Sequence, residues 1–134
     1  MINFISVNIR GLMGCPSKRL KLYRLLKREK AAGLVQETFT TESDESTIKE
    51  EWGGEVIFNH GTKHSSGVIL LLPKNTIYED VFKDENGRVI SCYLPSSDIT
   101  LCNIYSPCHS KPKEQLPFFK DLITYTDNKP NLIL

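Results

Sequence analysis

The chain has no hydrophobic run long enough to cross a membrane: its longest aliphatic stretch, Val68 to Leu72, is five residues and stops at Pro73. A membrane helix needs roughly 18 or more. No basic stretch precedes the opening apolar segment, and Asn3 and Asn8 interrupt it, so no signal peptide is read there. None of the four cysteines, Cys15, Cys92, Cys102 and Cys108, forms a C-x-x-C pair, and no N-x-S/T sequon occurs. These absences point to a reduced, intracellular protein rather than a disulfide scaffold or a zinc module. Low complexity, internal repeats and linkers are missing too. What remains is 134 residues, 40% hydrophobic and 25% charged, the balance of one folded domain.

The net charge of +1 hides a strong local imbalance. Residues 1–30 carry eight Lys/Arg against one Glu, and residues 31–60 carry one Lys against seven acids. Such asymmetry fits a nucleic-acid surface beside a cation site, and equally two solvated helices. Lys18, Arg19, Lys21, Arg24, Lys27, Arg28 and Lys30 surround the polar face of one predicted helix. That face either contacts phosphates or is simply solvated.

Ile2–Asn8 reads as a first strand, β-branched and aromatic, stopped by Gly11 and Gly14. A basic helix is predicted over Lys18–Ala32, capped by Ser17 and ended by Gly33. Leu34–Glu37 is a short buried strand, followed by a helix over Asp44–Trp52 capped by Ser43. Strands are then expected over Glu55–Asn59, Gly67–Leu72, Thr76–Lys83, Arg88–Leu94 and Ile99–Tyr105, with Asn86-Gly87 turning a hairpin. A helix over Lys113–Thr126 and the start of a strand at Asn131–Leu134 complete one α/β unit containing a β-meander. Val68–Leu72 is apolar on both faces and expects cover on each side. The order of elements places the three helices mostly on one of them. The chain also ends inside an apolar run, which is read as truncation of a larger domain.

Chemistry is expected at strand ends, where loops of layered α/β folds gather ligands. Asn8, Glu37 and Tyr105 each end a strand. A carboxylate there is a hard oxygen ligand suited to Mg²⁺, an amide could orient it, and a phenol can donate to a phosphate oxygen. The same three are also consistent with a polar strand exit, a turn residue and an interface aromatic. His60 and His64 lie four apart, but Gly61, Ser65 and Ser66 favour exposed loop positions over a metal pair. Cys108-His109 makes a poor nucleophile–base pair, because sequence neighbours rarely face each other. Trp52 is read as a packing anchor rather than a stacking platform.

These residues sit in motifs that resemble the endonuclease/exonuclease/phosphatase superfamily. The nearest likeness is to the apurinic-endonuclease-like nuclease of non-LTR (LINE-type) retrotransposons. Ile5-Ser6-Val7-Asn8-Ile9-Arg10-Gly11-Leu12 resembles that family's opening S-x-N-x-x-G-L strand, and Val35-Gln36-Glu37-Thr38 its L-Q-E-T. Phe58–Gly61 through Ser66–Leu70 is similar to its loop and S-x-G-V-x-I-L strand. Asn86–Ile90 resembles its E-G-R hairpin, and Asn103–Pro107 its N-x-Y-A-P. The five motifs occur in order and span the whole chain.

The resemblance implies part of a four-layer α/β-sandwich of DNase I-like fold, and hydrolysis of a DNA phosphodiester dependent on one Mg²⁺ (or Mn²⁺) ion. It implies Glu37 as metal ligand, Asn8 as the amide orienting the site, and Tyr105 bearing on the scissile phosphate. Arg10 stands where apurinic endonucleases carry a metal-side Asp, which turns that position toward phosphate. Cys108 replaces the Asn that follows Y-A-P. The family's G-D-F-N and S-D-H segments, with the catalytic Asp–His pair, are absent from these 134 residues. The expectation is therefore an N-terminal portion over residues 1–134, inactive alone, with a DNA partner and a nuclear location. Two alternatives stay open: another superfamily phosphoesterase, such as a repair nuclease or a lipid or inositol phosphatase, and a non-catalytic binding remnant.

Overall fold

In the computed structural model, residues 2–108, 112–127, 129 and 131–133 are described. Strand β1 (Asn3–Asn8) lies parallel to β2 (Ala31–Gln36), joined by helix α1 (Pro16–Arg28). Pro16 opens α1, where a missing N–H costs nothing. The N-cap is Cys15 and not Ser17, and its side chain caps no backbone group. The helix also ends four residues before Ala32, because Ala31 and Ala32 belong to a buried central strand. Gly33 is needed for close approach instead of helix termination: a Cβ there would lie 2.7 Å from the Leu26 side chain. Tertiary packing overrides the helix propensity of alanine at this point.

After β2, Thr41 and Asp44 form a capping box around a single 3₁₀ turn (Glu42–Asp44), so Ser43 is not the cap. Helix α2 (Glu45–Trp52) follows and is closed by Gly53 in the left-handed conformation, φ 74°. Strands β3 (Glu55–Asn59) and β4 (Val68–Leu72) pair antiparallel and complete a sheet of order β1-β2-β4-β3. Strands β5 (Glu79–Lys83), β6 (Val89–Leu94) and β7 (Ile99–Ile104) form an antiparallel meander, which β8 (Leu132–Ile133) extends in parallel. Helix α3 (Pro112–Thr126) stands between β7 and β8. The last residue of the predicted terminal strand, Leu134, lies outside the described residues. No described helix is long and apolar enough to cross a membrane.

Every residue of β4 is buried, and the strand shows how the layers stack. Ile69 and Leu71 pack with Leu22, Tyr23 and Leu26 of α1 and Ile48 and Trp52 of α2. Val68, Leu70 and Leu72 pack with Ile90, Cys92, Leu94 and Leu101 of the second sheet. The outer face of that sheet meets α3 through Val89, Cys102 and Leu122. The order is helices, sheet, sheet, helix. The second face of β4 is thus covered by a sheet, and the helices divide two and one instead of gathering on one face.

The basic face of α1 is less open than its sequence suggests. Arg19 is buried and holds Glu51 of α2 through two contacts, Nε at 2.7 Å and Nη2 at 3.1 Å. Lys18 donates to the Ile9 carbonyl at 2.7 Å, and Lys27 lies 5.4 Å from the Trp52 ring centroid. These three cations tie helices and loops together, which thins any phosphate-binding surface. Trp52 is the expected anchor, its Nε1 donating to the Leu72 carbonyl at 2.8 Å.

Helix α3 leaves an apolar stripe in solvent: Leu116, Phe119 and Ile123 are 61%, 40% and 68% exposed. The native protein is expected to bind a hydrophobic dye such as ANS, and Ile123→Lys to reduce that signal without lowering the melting temperature. Native protein that leaves the dye dark would show the stripe to be covered in solution.

Candidate active site

The site forms where β1 and β2 run out together. Their ladder continues into the loops through Ile9 N–H to Gln36 O (3.0 Å), Gly11 N–H to Glu37 O (2.7 Å) and Leu12 N–H to Thr38 O (2.9 Å). Both chains turn sharply here. Arg10 (φ 48°), Glu37 (φ 51°) and Phe39 (φ 52°) all adopt left-handed backbone, which side-chain-bearing residues rarely do. From the second sheet, Tyr105 follows β7 and is anchored by its N–H to the Arg88 carbonyl at 2.8 Å.

These turns bring three expected site residues together. Asn8 Nδ2 donates to Glu37 Oε1 at 3.1 Å, and the Tyr105 hydroxyl donates to the same carboxylate. The Tyr105 hydrogen bond is the largest influence holding the Glu37 carboxyl below its ordinary pKa. Partial burial opposes it, while Asn8 and the positive charge of Arg10 assist. The same hydrogen bond raises the Tyr105 phenol above its ordinary value, with burial adding to it. Arg10 is exposed and acts on Glu37 through its charge alone, with no hydrogen bond to it.

Arg88 supports Tyr105 from behind: Nη1 donates to the Tyr105 carbonyl at 3.2 Å and the guanidinium sits 5.3 Å from the ring centroid. Two further residues, which the sequence reading placed in motifs without giving them a role, connect the sheets beside the site. Gln36 Nε2 donates to Asn103 Oδ1 at 2.8 Å, and Asn103 Nδ2 donates to the carbonyls of Val35 (3.0 Å) and Ile69 (2.9 Å). A polar residue on the inward face of an otherwise apolar strand, next to Leu101, was the signal that could have found Asn103.

His60 departs from expectation. It is half-buried, with Nε2 2.7 Å from Glu45 Oε2 and Nδ1 2.9 Å from Thr40 Oγ1, so it braces α2 against the β2 loop. Its partner in sequence, His64, is exposed. His109 lies outside the described residues. A groove of about 1080 Å³ opens between the β5–β6 turn and α3, walled by His60, Ser66, Arg88 and Tyr125. Asn8, Glu37 and Tyr105 do not line it. Among the described residues no group of three or more His, Cys, Asp or Glu side chains is arranged to hold a metal ion.

Two face-to-face mixed sheets with helices outside are similar to the AP endonuclease/DNase I-like fold, of which this chain forms a fragment. An AP endonuclease from Archaeoglobus fulgidus superposes with a TM-score of 0.70 at 21% identity, over 94% of this chain and 51% of its own. The 3'-5' exonuclease NExo from Neisseria meningitidis matches at 0.69 and 16% identity, over 96% of this chain and 54% of its own. A 3' phosphatase NExo from Neisseria, bound to a product DNA hairpin, matches at 0.63 and 16% identity, over 92% and 53%. By sequence, the chain is 28% identical to an uncharacterized 149 kDa protein of Transposon TX1 from Xenopus laevis, over 92% of this chain and 10% of that protein. No protein-family model matches. The chain spans about half the length of the similar solved structures and a tenth of the transposon protein.

A group whose pKa is depressed by folding contributes stability above its unfolded pKa and loses it as pH falls through the folded value. Glu37 is such a group. Tyr105→Phe removes the main cause, so the variant is expected to be less stable than wild type at neutral pH. The gap should narrow as pH falls through the range where Glu37 takes up its proton. Urea unfolding across the acid range reads this directly; a gap independent of pH would remove Glu37 from the explanation.

Proposed function

We propose that Asn8, Glu37 and Tyr105 form one side of a phosphodiester-hydrolysing site, and that the chain is the N-terminal part of a DNA endonuclease domain of retrotransposon type. The observation that carries this reading is the convergence of Asn8 and Tyr105, from strands in two different sheets, on the Glu37 carboxylate. The likeness to an AP endonuclease and to a 3' phosphatase bound to a product DNA hairpin supports DNA as the substrate. The likeness to a transposon protein supports the retrotransposon origin.

Each residue has a definite task in this reading. Glu37 stays ionised at neutral pH, so it presents negative oxygen to a hard cation. Asn8 spends its Nδ2 on Glu37 and keeps its Oδ1 as a further hard donor. This donor set suits Mg²⁺ or Mn²⁺, ions that take one or two carboxylates and complete their shell with water and phosphate oxygens. When bound, such an ion would lower the pKa of a coordinated water and offset charge on the phosphate. Tyr105 carries a hydroxyl proton that can be redirected from Glu37 to a phosphate oxygen. Arg10 is exposed beside this carboxylate, where its charge favours an approaching phosphodiester.

Deprotonating the attacking water needs a base, and the described residues offer none at Glu37, His60 being engaged by Glu45 and Thr40. We infer that residues 1–134 bind substrate and ion but do not turn over alone. Supercoiled plasmid incubated with the chain and Mg²⁺ should stay closed; robust nicking that Glu37→Ala abolishes would overturn the inactivity. Mn²⁺ affinity, followed by the EPR signal of the free ion, should fall about tenfold or more in Glu37→Gln. Equal affinity in the two proteins would sink Glu37 as the ligand.

A further inference from the structure

Glu37 and Tyr105 belong to different sheets, so something must hold the sheets at a fixed offset where these side chains meet. Apolar contact between the sheets is non-directional and tolerates sliding. Hydrogen bonds between amides do not, because they require both distance and angle. Gln36 immediately precedes Glu37 at the end of β2, and Asn103 lies two residues before Tyr105 near the end of β7. Residues two apart on a strand share a face, so Leu101, Asn103 and Tyr105 all look toward the first sheet. Asn103 is 1% exposed and bonds to the first sheet through both its donors, on Val35 O and Ile69 O, and through its Oδ1, which accepts from Gln36. Gln36 Nε2 is also within reach of Ser6 Oγ at 3.0 Å and the Leu34 carbonyl at 2.9 Å, which carries the connection on to β1 and hence toward Asn8. A leucine at either position would fill space without a desolvation penalty; the amides supply direction.

We propose that Gln36 and Asn103 are positioning residues whose amide contact sets the offset of the two sheets, and through it the meeting of Tyr105 with Glu37. The assignment deepens the reading of Asn8, Glu37 and Tyr105 as the site, but its test measures geometry and no cleavage. Failure of one therefore leaves the other standing.

Gln36→Met keeps side-chain length and removes the amide. In this variant the NOEs between the Tyr105 ring and the Glu37 side chain should disappear, while the amide spectrum of α1 and α2 and the cooperative melt persist. Ser6→Ala, which spares the Gln36–Asn103 contact, should retain those NOEs. A folded Gln36→Met protein with native Tyr105–Glu37 NOEs would overturn the proposal. Should Gln36→Met not fold, the wild-type protein decides: the Gln36 and Asn103 side-chain amides should show mutual NOEs and exchange slowly with solvent. Fast exchange without such NOEs would equally overturn it.

Discussion

A buried asparagine ties the two sheets of this molecule to each other at the end where the candidate site lies. Asn103 projects from the second sheet and is bonded to two strands of the first, through the Val35 and Ile69 carbonyls. Burying an amide in an apolar interlayer costs several kcal/mol unless its hydrogen bonds are made. Here both donors and the carbonyl oxygen have partners, so the residue excludes arrangements in which those bonds would break. The apolar residues around it supply cohesion, and the asparagine supplies uniqueness.

The same division of labour recurs on the outer face of the first sheet. Leu22, Leu26, Ile48 and Trp52 bring α1 and α2 onto β4. Arg19 and Glu51 then fix one helix against the other as a largely buried ion pair, side chains 8% and 24% exposed. Such a pair adds little net stability over an apolar substitute, because both ions lose water. Breaking it from one side is costly, so it acts as a specificity device for the helix layer. Each layer of the sandwich is thus held by non-directional burial and oriented by a few directional polar contacts.

Much of this was legible in the sequence, for identifiable reasons. Strand cores such as Val68–Leu72 and the Asn86-Gly87 turn are local signals, and each falls where it was read. That Asn8, Glu37 and Tyr105 end strands was legible too. Their meeting was not: Tyr105 stands 68 residues from Glu37, and no periodicity carries over that distance. Alanines 31 and 32 misled because helix propensity is intrinsic, whereas their burial in a central strand is a property of the whole fold. Arg19 and His60 misled in the opposite way. Polar residues are assigned to solvent by default, and only their partners, Glu51 and Glu45, reveal that they are structural.

The left-handed backbone at Glu37 has a further implication. That conformation costs an L-residue bearing a Cβ on the order of 1–2 kcal/mol, a cost that glycine escapes and asparagine partly escapes. The backbone at residue 37 alone would therefore favour glycine or asparagine, and the contacts of the carboxylate with Asn8 and Tyr105 offset that cost. Under selection for folding alone, only those contacts would oppose drift toward glycine or asparagine at residue 37, while the surrounding strands stayed intact. The side chain at residue 37 would then record any loosening of constraint on the carboxylate sooner than the hydrophobic core could.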